Sequence, residues 1–484
     1  METQTASRKI LAGSIIIVLY SLTLGIINFH FAYDDAHITY RYSYNLATGH
    51  GLVYNVGDRY LGTSAPLYSI ILGLLAIPNP AAIPFLASLL SVLGLSVSSL
   101  GLFRIGIDSD RPFAGFLAGM FFASSALVAQ TFGGEMLVQI ALIVWAFAQY
   151  NRERSIAASV LIAIAILIRP DAGLAAIVLV LHRWISTRRA PIREIGLILA
   201  VVVPFCLASW LYYGNPLPGT MSAKIAQGKT GLWPRYISGA HTWLAWQWHN
   251  IPATEHSKMA TLLFRVVFAC AIPGILAALK DRRWWPLLTW VLLNTVFYIA
   301  IRIAIYHWYL VPMCVGIAVL AALAIDTLLT AVTKVLASKP VKLLAYAILA
   351  LLLLSAIPYR LDTARAPNDR LVLYGQVSNW LLRNTSSTAS VGFHEIGWIG
   401  YHTHRRMIDP MGLILPGLAT HIAQRDFAYA YEQYRPDIIM TNPDFLQWSE
   451  DSKTPTLLAQ DYDRVASFTN SFGTVNIYRR KPSL

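Results

Sequence analysis

Apolar runs long enough to cross a bilayer recur along most of this chain, and that recurrence leaves few folds open to it. A backbone in hydrocarbon finds no water to bond, so each such run must close its hydrogen bonds within itself as a helix. Runs near 10–29, 81–103, 113–131, 134–150, 155–168, 171–184, 194–213, 259–279, 284–304, 306–330 and 341–358 predict a membrane all-α fold of about eleven transmembrane helices. With 56% hydrophobic and 13% charged residues in 484, the chain is too apolar for a soluble domain. Its basic residues gather between the runs, at Arg152 and Arg154, in 182–193 and in 280–283. Loops of that kind stay in the cytoplasm. The expectation is a multi-pass protein of the plasma (inner) membrane with a cytoplasmic N-terminus and, from the odd count, an extracytoplasmic C-terminus. The same clusters account for the net charge of +13, so no nucleic-acid partner is expected.

The segment 64–78 is apolar but closes on Pro78, Asn79 and Pro80, and reads as an interfacial or re-entrant helix. The runs 155–168 and 171–184 are short for a crossing. METQTASRK leads into an apolar run with no small-residue cleavage site, which predicts an uncleaved first span. Cys206, Cys270 and Cys314 all lie in apolar runs, where cysteine packs as a small hydrophobe, and their spacing gives neither a zinc site nor a disulfide framework. Three pieces then share the outer face: the loop 30–63, the loop 214–258 and everything after Arg360. The expected division is a polytopic membrane part, 1–359, and an extracytoplasmic domain, 360–484, long enough for its own core. A helix at 371–383 and strands at 389–393, 437–440 and 473–478 predict an α/β cap.

Asp34 and Asp35 follow the first run by a few residues, in FAYDDAHITYRYSYNLATGHGLVYN. Two adjacent negative charges repel each other beside a low-dielectric slab, a costly way to end a structural helix. A base held at the membrane surface is the favoured reading. Further ionisable residues fall at the outer ends of the runs: Arg41, Glu135, Arg169, Asp171, Lys224, Arg302 and His307. Both signs of charge on one face suggest a polar cavity in which acids take a proton and cations hold an anion. A plainer reading stands beside each. Arg169 and Arg302 can snorkel to the interface; Glu135 and Asp171 sit where a helix start favours an acid. His307 belongs to an aromatic belt, YHWY, and Lys224 to a solvated loop. His394, Glu395, His402 and His404 lack HExxH spacing, and no metal site is assigned to them.

The stretch YDDAHITYRYSYNLATGHGLVYNVGDRYLGTSAPLYSIILGLLA resembles the first outer loop of the GT-C superfamily of polyprenyl-phosphate-sugar-dependent glycosyltransferases, in particular the branch of mycobacterial terminal arabinofuranosyltransferases. GGEMLVQIAL, LIRPDAGLAA, YYGNPLPGTMSAKI, YHWYLVPM and IGWIGYHTHRRMIDPMGL continue the resemblance in order along most of the chain. It implies a GT-C-like catalytic part in 1–359 and transfer, with inversion, from a lipid-linked donor to an acceptor hydroxyl of an envelope glycan, glycolipid or protein at the outer leaflet. It maps the catalytic base to Asp34, with Asp35 as its partner. Beside the resemblance, the residues themselves offer Arg41, Lys224, Arg302 and His307 for the donor phosphate, with Tyr40, Glu135 and Arg169 in the substrate site. The resemblance admits a divalent metal, for which the sequence offers no compact ligand set. RYLGTSAP and GGEM depart from the branch's pattern, at positions bearing on sugar and acceptor.

A lipid or sugar transporter or flippase is the alternative, since it too would be polytopic with charges inside. It would favour inverted repeats and broken helices at mid-membrane, whereas these ionisable residues gather at one face and an outer domain follows. A non-catalytic envelope scaffold would keep the fold without the base.

Overall fold

The computed structural model describes residues 2–29, 32–249, 254–336, 339–448 and 453–482. Six helical stretches are long and apolar enough to cross a membrane: Ser7–Ile27, Pro80–Asp108, Ile192–Tyr213, Ser257–Leu279, His307–Val335 and Pro340–Asn384. The five remaining runs form helices of only 13 to 16 residues: Pro112–Ser124, Met136–Asn151, Ser155–Ile168, Gly173–Thr187 and Trp285–Ala300. Six crossings are thus carried by length and composition, and the count of eleven stays an expectation. The apolar segment 64–78 holds the helix Pro66–Leu75, opened by Pro66 in its first turn, where a missing N–H costs nothing.

The two short runs form a helical hairpin that turns at Arg169, because Tyr150 and Glu153 before the first helix meet His182 and Arg183 near the end of the second. Pro170 has no N–H and pushes the residue before it out of the helical region. Arg169 accordingly takes extended angles (φ −150°, ψ 131°) between Ile168 and a single 3₁₀ turn at Pro170–Ala172. The break turns Arg169 and Asp171 away from lipid and into the protein.

The outer loop 30–63, whose first two residues lie outside those described, is built around the helix Asp34–Ala47. Ala36, Ile38, Tyr40 and Tyr42 are buried on it together with His37, Thr39 and Arg41, so every face is covered. Such a helix has no apolar stripe to announce it. Asp34 and Asp35 occupy its first turn, where the helix dipole favours negative charge.

After the membrane helices comes a five-stranded mixed sheet: β1 (Ser390–Gly392), β2 (Arg406–Ile408), β3 (Ile438–Thr441), β4 (Tyr462–Asn470) and β5 (Gly473–Arg480). The strand order is β2-β1-β3-β5-β4, with β1 parallel to both neighbours and β5 antiparallel to both of its own. The helix Asp369–Asn384 and strands β1, β3 and β5 fall on the expected segments; β2 and β4 were not anticipated. Its core, which includes Val391, Phe393, Met407, Ile439 and Ile477, is continuous with Ile38, Tyr42 and Tyr54 of the first outer loop and with Ala223 and Ala226 of the second. Sheet domain and membrane part therefore share a core instead of meeting across a wet gap.

Candidate active site

Successive residues of a helix point about 100° apart, so the two acids at the start of Asp34–Ala47 cannot share one task. Asp34 is buried and faces the sheet domain. Its carboxylate accepts the backbone N–H of Trp398 at 2.8 Å and of Gly397 at 3.1 Å, at the start of the helix Gly397–Thr403. Only glycine permits this approach, because a Cβ at position 397 would stand 1.8 Å from the Asp34 carbonyl oxygen. Burial pushes the Asp34 carboxyl above its ordinary range, against the pull of Arg370 and of the Trp398 N–H. Asp35 points the other way. Its side chain is 30% exposed and pairs with the Lys224 ammonium at 3.3 Å. Lys224, on the helix Thr220–Thr230, is itself buried and lies 3.6 Å over the Tyr306 ring. Burial pulls its pKa down, but Asp35 and then Tyr306 outweigh that and hold it above the ordinary lysine value.

Two cavities meet at this ion pair. The first, of about 920 Å³, lies at the turn of that hairpin and is lined by Thr39, Thr63, Glu135, Arg169, Asp171 and Tyr298, with Leu217 and Met221 at an exposed margin. Arg169 is clamped there between Glu135 at 2.5 Å and Asp171 at 3.2 Å, while Gln139 and Tyr298 each donate to Asp171 at 2.6 Å. The second, of about 770 Å³, lies under the sheet domain, between Gln227, Trp233 and Tyr306 on one side and Arg370, His394, Glu395 and Trp448 on the other. Tyr33, Asp35, Ile38, Lys224, Trp308 and Leu413 line both. The pair Asp35–Lys224 thus stands in the wall between them.

Of the residues expected at the site, Asp35, Glu135, Arg169, Lys224 and His307 do line these cavities, Asp34 touches the second, and three others lie elsewhere. Arg41 donates to the carbonyls of Tyr54 (3.2 Å) and His404 (3.1 Å) and to the His404 ring, tying the first outer loop to the sheet domain. Tyr40 is buried with its hydroxyl on the Gly133 carbonyl at 2.8 Å. Arg302 is exposed, at φ 53°, and lines neither cavity. His307 is fixed through Nε2 to the Gln130 carbonyl at 2.9 Å.

Arg370 and Glu395, 2.9 Å apart, are site residues that sequence reasoning did not place. Burial raises the Glu395 carboxyl to about 7, opposed by Arg370 and reinforced by Asp34. His394 beside it is pushed down to about 3 by burial, so its ring is neutral, and its Nδ1 has no partner among the described residues. Among the described residues no three His, Cys, Asp or Glu side chains converge, and the carboxylates of the first cavity are already held by Lys224 and Arg169.

A bundle of apolar helices followed by a C-terminal mixed sheet is a fold shared with solved structures. ArnT from Cupriavidus metallidurans bound to undecaprenyl phosphate is 13% identical with a TM-score of 0.54, over 98% of this chain and 98% of that one. The archaeal oligosaccharyltransferase AglB from Archaeoglobus fulgidus, in complex with an inhibitory peptide and a dolichol-phosphate, is 12% identical with a TM-score of 0.56, over 99% of this chain and 75% of that one. The arabinofuranosyltransferase AftD from mycobacteria is 13% identical with a TM-score of 0.51, over 98% of this chain but 40% of that one. All three are GT-C proteins, and this chain has the GT-C fold. Its residues 363–480 match a family described as a domain of unknown function (DUF8728), and no curated protein matches.

Proposed function

We propose that this protein is an inverting membrane glycosyltransferase that takes a sugar from a polyprenyl-phosphate donor in the first cavity and passes it to an acceptor hydroxyl presented through the second, with Asp35 as general base. The observation that carries the reading is the position of Asp35 and Lys224 in the wall common to both cavities. The acceptor oxygen attacks the anomeric carbon from the face opposite the phosphate, and Asp35 takes its proton as the new bond forms. The bond from that carbon to the phosphate oxygen breaks, and its electron pair leaves with the polyprenyl phosphate, which gains a negative charge. Lys224 is the cation placed to offset that charge, and it is already held protonated by the acid beside it. The Glu135–Arg169–Asp171 cluster forms a stiff polar wall whose one cation is already taken up by two carboxylates. ArnT with undecaprenyl phosphate and AglB with a dolichol-phosphate and a peptide support a lipid phosphate on one side and an acceptor on the other. In the second cavity the aromatic faces of Trp233 and Trp448, 5.1 Å apart, suit a saccharide acceptor.

Asp35 in this role replaces Asp34, whose oxygens are occupied by the sheet domain's backbone. In reconstituted membranes supplied with radiolabelled polyprenyl-phosphate sugars, Asp35→Asn should lower transfer by about 10²–10⁴-fold per folded molecule, a loss larger than the stability cost of unpairing buried Lys224 explains. Asp34→Asn should lose stability first, because one carboxylate oxygen that accepts an N–H becomes a donor. Equal loss of turnover in two equally stable variants would return the base to Asp34.

A further inference from the structure

A third cavity, of about 740 Å³, shares no lining residue with the two that meet at Asp35. It lies between the helices Pro112–Ser124, Ser257–Leu279 and Val311–Leu336 and is covered by the helix Tyr236–Trp248. Its walls are apolar, with Phe121, Leu263, Phe264, Val267 and Ile317, and its polar groups gather at Ser124, Gln247 and Tyr359.

Three observations say what the guest would be. The cavity sits at the ends of its helices remote from Arg111, Lys280 and Lys334, hence at the depth of the outer leaflet in the topology argued above. The covering helix exposes Ile237, Trp246 and Trp248, the aromatic pattern of a helix lying in the membrane interface. Trp243 lines the cavity, is 8% exposed, and its indole Nε1 has no acceptor among the described residues. A buried N–H without a partner carries the full cost of its desolvation, so the missing acceptor belongs to the guest. Nε of Arg360 is a second buried orphan beside the same rim, its other nitrogens being bound to the carbonyls of Ser124, Ser125 and Ala126.

We propose that this cavity binds one chain of an outer-leaflet glycerophospholipid, with an ester oxygen accepting from Trp243 Nε1. The site is separate from that of the donor, and the phospholipid braces the interfacial helix against the bundle.

The full chain in detergent micelles, delipidated and then supplied with phosphatidylglycerol or with undecaprenyl phosphate, tests this by native mass spectrometry. A local readout comes from alkylation of Cys314, which lines the cavity, in a Cys206→Ala, Cys270→Ala background. Wild type should retain one phosphatidylglycerol that protects Cys314. Trp243→Phe, which keeps the ring and removes the N–H, should weaken retention by roughly threefold to tenfold. Ala260→Trp should fill the cavity and abolish retention. Retention and protection unchanged in both variants, or undecaprenyl phosphate displacing phosphatidylglycerol from Cys314, would overturn the proposal. None of these readouts depends on glycosyl transfer, so either reading can fail alone.

Discussion

At the scale of single residues, charge alone did not say which groups do chemistry. Arg41 and Arg169 look alike in the sequence, yet one ties two parts of the fold together and the other stands in a cavity wall. Glu395 carries the clearest signature in solution. Between its ordinary value of 4.5 and its folded value of about 7, the folded protein keeps a proton that the unfolded chain releases. Stability therefore falls as pH rises through that window and is level above it. Glu395→Gln should remove that slope, so the Tm difference between pH 5 and pH 8 should shrink relative to wild type. A difference as large as in wild type would mean that Glu395 titrates normally. The acidic pair was legible from its place at the exit of the first run. The division of labour within it was not, because that depends on which acid the sheet domain reaches.

Among elements, those that bury one face against lipid or core were readable and those buried all round were not. The helix Asp34–Ala47 alternates aromatic, basic and small residues with no apolar stripe, since its neighbours cover every side. Strand β2 is three residues long, and β4 is a largely exposed edge strand. Neither leaves a periodic signal of the kind that marked β3 and β5. Arg370 sits in the unremarkable ARAPNDR, and only tertiary approach brings it to the cavity. The short helix Gly397–Thr403 is where the two parts meet most closely, and its first glycine has no room for a methyl group. Gly397→Ala should cost about 1–3 kcal/mol by forcing that helix off Asp34. Limited proteolysis should then release the 363–480 region more readily than in wild type; an unaltered digestion pattern and Tm would mean that the backbone absorbs the methyl freely.

On the scale of the whole molecule, the orientation argued from basic loops makes a direct prediction. In a cysteine-free background, a cysteine at Ser186 should be labelled only from the cytoplasmic side and one at Ser471, between β4 and β5, only from outside. The reverse pattern would put both cavities on the cytoplasmic face and remove the lipid-linked donor from reach. The alternation of apolar run and basic loop was readable because a bilayer imposes it on every segment; the packing of the sheet domain is a private arrangement of this chain. One joint in that arrangement behaves as an interlock. The acid that fastens the cover and the acid that faces the cavities are neighbours on one helical turn. Any movement of the sheet domain would pull on the same turn that carries Asp35, and so on the base of the proposed reaction.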